Sequence, residues 1–328
     1  MAAFAFVLGA VLSLGASAVL VTALDRLGAR FGAPEATLGL VTALAADSPE
    51  IATAVTALVR GEQEVSVGVL LGSNVFNLAA LLGLSAVIAG GIALHRRVVV
   101  FEAVVALWVA SMAVLTIAGW MTPEAGLGMT LIVFAPYVFI SALPPARRLE
   151  LPLPQDWRDW LAGAVRDEES ELAPAIHPSG GTWKDAGRAV AALVVVIGAS
   201  AAMERGATSL GARFGIASIV VGGVVLAAAT SLPNAVAAVY LARRGRGTAT
   251  LSEAMNSNTL NVVAGLFIPA IVLGSGMTSG GDSAVALWYL GLTLVALGLA
   301  YRGSGLDRRT GSIIIVLYIA FVVVLVLR

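Results

Sequence analysis

Residues 39–77 read GLVTALAADSPEIATAVTALVRGEQEVSVGVLLGSNVFN, and this stretch decides the fold. Its first half is apolar and long enough to cross a bilayer, yet Asp47, Pro49 and Glu50 lie in the middle of it. Ionisable groups at that depth are expensive, and the usual reason for keeping one is an ion or proton path. Proline removes a backbone donor and disfavours helix at the residue before it, so we expect a break near Ser48. Such a break is tolerated where freed carbonyls line a cavity or bind an ion.

The same stretch occurs twice in the chain. Residues 223–261 read GVVLAAATSLPNAVAAVYLARRGRGTATLSEAMNSNTLN, and a shift of 184 positions places Pro49 on Pro233 and Glu50 on Asn234. The shift also aligns three polar residues with identical residues of the second copy: Ser73 with Ser257, Asn74 with Asn258, and Asn77 with Asn261. Upstream, the LGARFG that begins at position 27 recurs letter for letter from position 210. These matches indicate an internal duplication.

The composition is that of a membrane protein. The 328 residues are 59% hydrophobic and only 12% charged, with a mean hydropathy of +0.93, whereas about 25% of a soluble domain is charged. The formal net charge is zero, so nothing suggests a nucleic-acid partner. The chain has no cysteine, and its two histidines, His95 and His177, lie in polar connecting segments. Disulfides and cysteine-bound metals are therefore excluded, a transition-metal site is disfavoured, and we expect no cofactor.

Ten apolar stretches are each near the roughly 20 residues that a bilayer requires. They are residues 3–24, 36–59, 65–90, 98–118, 124–144, 187–204, 217–242, 249–274, 283–301 and 311–327, of which 187–204 is the shortest. The first is interpreted as a span and not as a signal peptide, because no positive charge precedes it and its Ala-Ser-Ala tripeptide recurs at 199–201. The sequence therefore predicts an all-α polytopic membrane protein.

Five spans in each half is an odd number, so the second copy must enter the membrane from the opposite side. The two five-helix repeats are therefore expected to be inverted, as in many secondary transporters. We assign residues 1–144 to the first repeat and residues 187–328 to the second. Residues 145–186 form a connecting loop, in which we expect a short interfacial helix around 156–166 and no catalytic role.

Arginine and lysine set the predicted orientation. Of the 20 such residues, all but four lie in the connections after spans 1, 3, 5, 7 and 9. The four on the opposite side are Arg60, Arg205, Arg213 and Arg328. The positive-inside rule then places the 145–186 loop in the cytoplasm and both termini outside. We expect the protein to reside in the plasma (inner) membrane.

The duplicated polar residues have the chemistry of a cation site. In each Ser-Asn-x-x-Asn motif the serine and the second asparagine are four residues apart, so they share one helix face. Carboxylate, hydroxyl and amide oxygens are hard donors that suit Na⁺ or Ca²⁺. The candidate ligands are Asp47, Glu50, Ser73, Asn74, Asn77, Thr230, Ser231, Asn234, Ser257, Asn258 and Asn261.

Structural roles for these residues are the alternative. Serine and asparagine in membrane helices often only hydrogen-bond a neighbouring helix, and Pro49 alone can be a kink. The two acids could pair with an arginine, but no arginine or lysine lies within a span near them, and Arg60 is ten residues beyond Glu50. A polar pattern that is duplicated around an unpaired acid favours ion binding. The same glycine-rich helices carry Gly68, Gly72, Gly222 and Gly223, which allow close helix approach.

These residues resemble the cation/calcium exchanger family, which includes the sodium/calcium exchangers. Residues 45–50 (AADSPE) with 72–77 (GSNVFN) look like the family's first alpha-repeat, and residues 230–234 (TSLPN) with 256–261 (NSNTLN) look like the second. The resemblance implies that Glu50 is the acid that binds the transported cation. The oxygen ligands that it implies are Ser73, Asn77, Thr230, Ser231, Ser257 and Asn261.

Three positions depart from the family's pattern. Asn234 stands where a second acid is normal, Asn261 where many members have an aspartate, and Asp47 where a hydroxyl residue is usual. One acid is thus absent from the second repeat and one is added in the first. Glu253, four residues before Ser257, is a further acid that could replace the missing one, line an access path or lie near the interface.

The leading hypothesis is a membrane transporter and not an enzyme. It is a secondary antiporter that exchanges Ca²⁺ against Na⁺ or H⁺ by alternating access, with inorganic cations and the lipid bilayer as its partners. Glu50 and Asp47 would together neutralise Ca²⁺. The alternative is monovalent Na⁺/H⁺ exchange with a protonatable Glu50. An enzyme that uses the two acids as an acid–base pair needs no second copy of the motif, and a scaffold leaves the unpaired acid unexplained. The sequence does not indicate an oligomeric state.

Overall fold

The computed structural model describes residues 1–31, 35–172, 181–274 and 282–327. Nearly all of them are helical. The helices are α1 (Ala2–Phe31), α2 (Glu35–Ala46), α3 (Ser48–Val59), α4 (Gln63–Ala89), α5 (Arg96–Ile117), α6 (Pro123–Ala142), α7 (Gln155–Leu172), α8 (Trp183–Phe214), α9 (Ser218–Arg243), α10 (Gly247–Leu273), α11 (Asp282–Gly303) and α12 (Arg308–Val326). A short helix, Pro145–Arg148, precedes α7, and the two strands are β1 (Gly91–Ala93) and β2 (Gly305–Asp307).

Nine helices in the described part of the chain are long and apolar enough to cross a membrane. They are α1, α4, α5, α6, α8, α9, α10, α11 and α12, and they confirm the prediction of an all-α polytopic membrane protein. The tenth predicted span, residues 36–59, is divided between α2 and α3. Each of these has 12 residues, which is too short to cross a bilayer alone.

Helix α8 is longer than the sequence predicts. The apolar stretch 187–204 is the shortest of the ten, but α8 has 32 residues. Its first turn is fixed by a capping box, in which the backbone N–H and the hydroxyl of Thr182 both donate to Asp185. It ends at Gly215, whose φ of 67° lies in the left-handed region. The predicted span 187–204 lies within α8, which extends beyond it at both ends, where charged residues lower the local hydropathy.

Helices α2 and α3 meet at Asp47, so the predicted break near Ser48 is confirmed. The dihedral angles of Asp47, φ −80° and ψ 0°, interrupt the helix by a single residue. Pro49 has no N–H to donate to the Ala45 carbonyl. The hydroxyls of Ser48 and Ser17 donate to that carbonyl instead, at 2.6 and 3.0 Å. The carbonyl freed by the proline is therefore hydrogen-bonded to hydroxyls, and it is not left bare for an ion.

The second copy is not broken at its proline, because Pro233 lies inside the continuous helix α9. A π-helical segment, Val221–Leu226, precedes it. Two further π-helical segments lie in α4 and α10, at Leu78–Leu84 and Asn261–Phe267. Both begin at the end of a Ser-Asn-x-x-Asn motif. Such segments locally widen a helix and are frequent at functional sites.

Helix α4 lies at the centre of the structure and packs closely against α9. A Cβ atom on Gly72 would lie 2.5 Å from the Cα of Gly223, and one on Gly68 would lie 2.9 Å from the Gly223 nitrogen. A Cβ on Gly222 would lie 2.5 Å from the carbonyl oxygen of Val65. The backbones of the two helices are therefore in contact, as the four glycines predict. This contact brings the motif of the first half against the second half.

The two strands form an antiparallel pair that the sequence does not predict. Gly91 pairs with Asp307, Ile92 with Leu306, and Ala93 with Gly305. Gly305 has a φ of 141°, which only glycine adopts without strain. The pair joins the end of α4 to the connection between α11 and α12, so the two halves of the chain are tied together at one end of the bundle.

The connecting segment is more than a loop. The expected short helix around 156–166 is longer, since α7 runs from Gln155 to Leu172. Its Glu171 accepts the backbone N–H groups of Thr248 and Ala249, at 2.8 and 3.2 Å, at the N-terminus of α10. His95 lies at the same place, 3.8 Å from Glu171. His177, the other histidine of this polar region, lies outside the described residues.

Candidate cation site

The eleven predicted ligands lie between the α2–α3 junction, α4, α9 and α10. Each of them is at most 5% exposed. Hydrogen bonds connect nine of them to another member of the set, and every one of these bonds joins the first half of the chain to the second. The remaining two, Ser73 and Thr230, are buried beside the others but make no bond within the set. The structure therefore assembles one buried polar cluster from two distant parts of the sequence.

Asp47 accepts two hydrogen bonds from the second half. The side-chain amide of Asn234 donates to Asp47 Oδ1 at 2.9 Å, and the Ser257 hydroxyl donates to the same oxygen at 2.8 Å. The one-residue interruption between α2 and α3 places this carboxylate at the centre of the cluster. Asp47 thus faces the amide of Asn234, the residue that aligns with Glu50 in the second copy of the motif.

Glu50 lies in the first turn of α3 and is fully buried. The Ser231 hydroxyl donates to its Oε1 at 2.9 Å. Its carboxylate is close enough to that of Asp47 for the two charges to repel each other. No arginine or lysine of the described residues pairs with either acid. Neutral hydroxyls and amides are their hydrogen-bond donors.

The asparagines form a reciprocal set of bonds. The Asn74 side chain donates to the backbone carbonyl of Asn258 at 3.0 Å, and the Asn258 side chain donates to the carbonyl of Asn74 at 3.1 Å. Asn77 donates to Asn258 Oδ1 at 3.1 Å, and Asn261 donates to Asn74 Oδ1 at 3.0 Å. These four bonds form two matched pairs, whereas the bond from Asn77 to the Ser257 hydroxyl, at 3.0 Å, has no counterpart between Asn261 and Ser73. The amide donors of both motifs are therefore used between the halves.

Five oxygen atoms of the cluster are buried and have no hydrogen-bond partner among the described residues. They are Asp47 Oδ2, Glu50 Oε2, Ser73 Oγ, Asn77 Oδ1 and Asn261 Oδ1. A buried polar atom without a partner is unusual and calls for an explanation. All five can offer a lone pair, and such oxygens are the ligands of Na⁺ and Ca²⁺.

Thr230 differs from the other predicted ligands. Its hydroxyl donates to the carbonyls of Leu226 and Ala227 in its own helix, at 3.0 and 3.2 Å. These bonds use the hydroxyl proton of Thr230, and the lone pairs of its oxygen remain available to another group. The sequence could not show where this hydroxyl donates, because threonine in a helix interior bonds either to the preceding turn or to a neighbouring helix.

Glu253 lies on α10, one turn before Ser257. Its Oε2 is buried and has no partner in the described part of the structure. Its carboxylate is near enough to Asp47 for the two charges to repel. No group of three or more histidine, aspartate or glutamate side chains that could hold a metal occurs in the described residues. A cation at the cluster would therefore be bound by at most two carboxylates together with neutral oxygens.

Two serines that support the cluster are not among the predicted ligands. Ser17 donates to the carbonyl of Ala45, and Ser200 lies 2.8 Å from the Ser13 hydroxyl and 3.4 Å from the carbonyl of Pro49. Both serines stand in the Ala-Ser-Ala tripeptide that recurs in the two halves. The recurrence of this serine within the same tripeptide in both halves is the sequence signal that could have identified it.

Comparison with known proteins agrees with this arrangement. Residues 1–143 and 186–327 match the family described as sodium/calcium exchanger protein. The putative antiporter CaxA of Alkalimonas amylolytica is 23% identical over 287 residues, which cover 86% of this chain and 84% of that protein. Inner membrane protein YrbG of Escherichia coli (strain K12) is 26% identical over 261 residues, covering 77% of this chain and 74% of that one.

Solved structures share the fold. The crystal structure of the H⁺/Ca²⁺ exchanger CAX aligns with a TM-score of 0.71 and 16% identity, covering 98% of this chain and 82% of that chain. The sodium-calcium exchanger NCX_Mj, soaked with 100 mM Na⁺ and 10 mM Sr²⁺, aligns with a TM-score of 0.63 and 22% identity, covering 98% and 97%. The family is one of membrane transporters and not of enzymes. Nine helices of the described residues are long and apolar enough to cross a bilayer, and both halves match the family, so this chain is an integral membrane cation exchanger that belongs to the sodium/calcium exchanger protein family.

Proposed function

We propose that this protein is a secondary active antiporter that exchanges Ca²⁺ against Na⁺ or H⁺ by alternating access at the buried cluster. Glu50 is the central ligand and Asp47 is a second acid. Neutral oxygens complete the coordination, and they come from Ser73, Asn74, Asn77, Thr230, Ser231, Asn234, Ser257, Asn258 and Asn261. No cofactor takes part.

The observation that carries this proposal is the pair of free carboxylate oxygens, Asp47 Oδ2 and Glu50 Oε2. Both are buried in a region without a pairing arginine or lysine among the described residues. An uncompensated charge there is expensive, and two adjacent negative charges are more so. A divalent cation between them removes the cost of both charges together.

The neutral ligands favour reversible binding. Ca²⁺ takes six to eight oxygens, and the cluster offers hydroxyl and amide oxygens around only two acids. A transport site must release its ion, and neutral oxygens bind less tightly than carboxylates. The names of similar proteins, an H⁺/Ca²⁺ exchanger and a sodium-calcium exchanger, support the same class of ions.

Monovalent exchange of Na⁺ against H⁺ is the second candidate, and one observation favours it. Asp47 and Glu50 are both fully buried and have no pairing arginine or lysine among the described residues, and a proton shared between them removes the repulsion of two adjacent negative charges. A cluster with one proton carries a single negative charge, which matches Na⁺. The two candidates therefore differ in how many acids are ionised when the ion binds.

The protein is proposed to lie in the plasma (inner) membrane with both termini outside. The distribution of arginine and lysine supports this orientation, and one similar protein is named an inner membrane protein.

Ion flux through the purified full-length protein in proteoliposomes tests the function. Uptake of ⁴⁵Ca²⁺ is measured while a Na⁺ gradient and a proton gradient are imposed one at a time. We expect Ca²⁺ uptake that depends on at least one of the two gradients. Absence of Ca²⁺ movement under both gradients, together with Na⁺ uptake driven by a proton gradient, would replace this proposal with the monovalent one.

A further inference from the structure

Glu253 lies on α10, between one end of the bundle and the buried cluster. Helix α10 begins at Gly247, and Glu171 of α7 accepts backbone N–H groups of its first turn. At 1.5 Å per residue, Glu253 is about 9 Å along the helix axis from that start, and Ser257 is about 15 Å from it. Residues four apart share one helix face. Glu253 therefore lies one turn from the serine that donates to Asp47, on the side where α7 lies.

No other protein group compensates the carboxylate of Glu253. Its Oε2 is buried and has no hydrogen-bond partner among the described residues. No arginine, lysine or histidine of the described residues forms an ion pair with it. Together with Asp47 and Glu50 it also does not form a group of three acids that could hold one metal ion. Glu253 is therefore a separate, unpaired acid and not a third ligand of an ion between the other two.

Solvent reaches Glu253 but not the cluster. The residue as a whole is half-buried, whereas each of the eleven predicted ligands is at most 5% exposed. A carboxylate that faces hydrocarbon at this depth is expensive, so the exposed part of Glu253 faces a polar path to the membrane surface. The buried oxygen lies on the same side chain. Glu253 thus stands at the inner end of that path, one turn before the cluster.

The first half of the chain offers no equivalent acid. A shift of 184 positions places Glu253 on Val69 of α4, which is apolar and 0% exposed. At that end, Arg60 donates to the fully buried Glu204 of α8 at 2.6 Å, so the end of α3 is fastened to α8. The residue aligned with Glu204, 183 positions earlier, is Val21, so this ion pair has no equivalent at the α7 end. The two routes to the cluster therefore differ in chemistry.

We propose that Glu253 is an entry ligand, which binds the transported cation between the solution on the α7 side and the Asp47–Glu50 pair. The inference rests on the proposed function and deepens it, because it assigns a role on one side of the membrane only. An acid in the path raises the local concentration of cations. It also offers the ion a charged oxygen about one helical turn from the cluster. On the Arg60 side the equivalent position offers no ligand, because it is Val69.

Transport measured from the two sides of the membrane tests this assignment. Uptake of ⁴⁵Ca²⁺ by the full-length protein is measured in right-side-out and in inverted membrane vesicles. Labelling of Ser170→Cys on α7 identifies the accessible side. Glu253→Gln keeps the volume of the side chain and removes its charge. We expect the half-saturating Ca²⁺ concentration to rise by at least about tenfold on the α7 side and to remain close to the wild-type value on the other side.

Two further substitutions of Glu253 keep the test decisive. Glu253→Asp retains the charge and should raise the half-saturating concentration less than Glu253→Gln does. Glu253→Val introduces the residue of the first copy and should give the same one-sided rise as Glu253→Gln. Size-exclusion profiles identify a variant that fails to fold. The control is Asp159→Asn, which removes an exposed acid from α7 on the same side of the membrane and should change neither value.

Three outcomes would overturn the assignment. An equal rise on both sides would make Glu253 part of the central site, and no change on either side would leave it without a role in transport. An equal rise in Asp159→Asn would show that surface charge on the α7 side is the cause. Failure of the proposed function has a different signature, namely a wild-type protein that moves no Ca²⁺ from either side, and this result would refute the entry ligand as well.

Discussion

The side-chain amide of Asn234 lies 2.9 Å from Asp47 Oδ1, across the contact between the two halves of the chain. Asp47 therefore touches the residue of the second copy that aligns with Glu50 and is not an acid. Because Asp47 and Glu50 also repel each other, both acids belong to one electrostatic unit. The net charge of the site depends on these two side chains and on Glu253, whose buried carboxylate lies near Asp47.

Asp47→Asn should lower Ca²⁺ affinity by at least about tenfold, or 1.4 kcal/mol, whereas Asn234→Ala should have a much smaller effect. The first change removes a charged ligand and the second removes a neutral one. Equilibrium binding of ⁴⁵Ca²⁺ to the two purified variants compares them. Returning the acid to the second repeat, in the double variant Asp47→Ser with Asn234→Glu, should restore part of the divalent transport. Unchanged Ca²⁺ binding in Asp47→Asn would mean that one acid works alone, and monovalent exchange would then become the leading proposal.

Glu50→Gln should abolish ion exchange while the protein remains folded. The substitution keeps the volume and the oxygen that accepts from Ser231, but it removes the negative charge and one of the free oxygens. Ion flux in proteoliposomes measures the loss of exchange, and a thermal unfolding scan in detergent shows whether the variant is folded. Glu150→Gln makes the same chemical change at an exposed site and is the control. Wild-type flux in Glu50→Gln would remove this residue from the centre of the mechanism.

Single cysteines at Ser170 and Asp307 should both be labelled only from the cytoplasmic side. The wild-type chain has no cysteine, so each label reports one position. Ser170 precedes Glu171, which bonds the start of α10 beside His95, and Asp307 pairs with Gly91. Both sites thus lie at the same end of the bundle. Labelling of both positions from outside would show that the predicted orientation is reversed. Labelling of the two positions from opposite sides would contradict the fold.

Asn74→Leu and Asn258→Leu should each destabilise the protein by about 1–2 kcal/mol. Each change removes a different bond, because each side-chain amide donates to the backbone carbonyl of the other residue, and that buried carbonyl loses its donor. The double variant should therefore lose about the sum of the two single losses. The thermal unfolding midpoints of the two single variants and the double variant test this additivity. A double variant that loses much less than the sum would show that the two bonds depend on each other.

Asp307→Ala should lower the thermal unfolding midpoint near neutral pH. The backbone N–H and the hydroxyl of Thr310 donate to the Asp307 carboxylate, and these bonds hold its pKa below the usual 3.8. A lowered pKa means that the ionised carboxylate of Asp307 stabilises the fold, so its contribution to stability is fully present above the usual pKa of 3.8. It disappears as the pH falls through the lowered pKa. The midpoints of variant and wild type should therefore converge in acid, and a constant difference would rule out the charge as its source.

The polar cluster could be predicted because its residues are marked in the sequence by duplication. Serine and asparagine four residues apart define a helix face, and a repeat of the pattern 184 positions later predicts that two such faces meet. Pro49 predicts the break at Asp47, but the aligned Pro233 lies inside the continuous helix α9, so a proline alone does not decide where a helix is interrupted. The helix faces depend on neighbours within a few positions, and local sequence determines them.

Contacts between distant helices could not be predicted in the same way. Glu171 bonds the N-terminus of α10 at Thr248, 77 positions away, and no periodicity marks either residue. Ser17 replaces the N–H that Pro49 lacks, 28 positions from the Ala45 carbonyl that it bonds. The acceptor of the Thr230 hydroxyl depends on which oxygen lies nearest to it. These hydrogen bonds are determined by how distant helices pack, which local sequence does not reveal.

The reciprocal bonds of Asn74 and Asn258 have a bearing on ancestry. In a symmetric dimer, residue i of one subunit contacts residue j of the other, and residue j of the first contacts residue i of the second. The reciprocal bonds between the two halves of this chain have the same form. A single half could therefore pair with a copy of itself through the same bonds. In such a dimer every mutation appears twice, so acids are gained or lost only in pairs. When the two halves are joined in one chain, that restriction no longer applies, and the net charge of the polar cluster can change by a single unit.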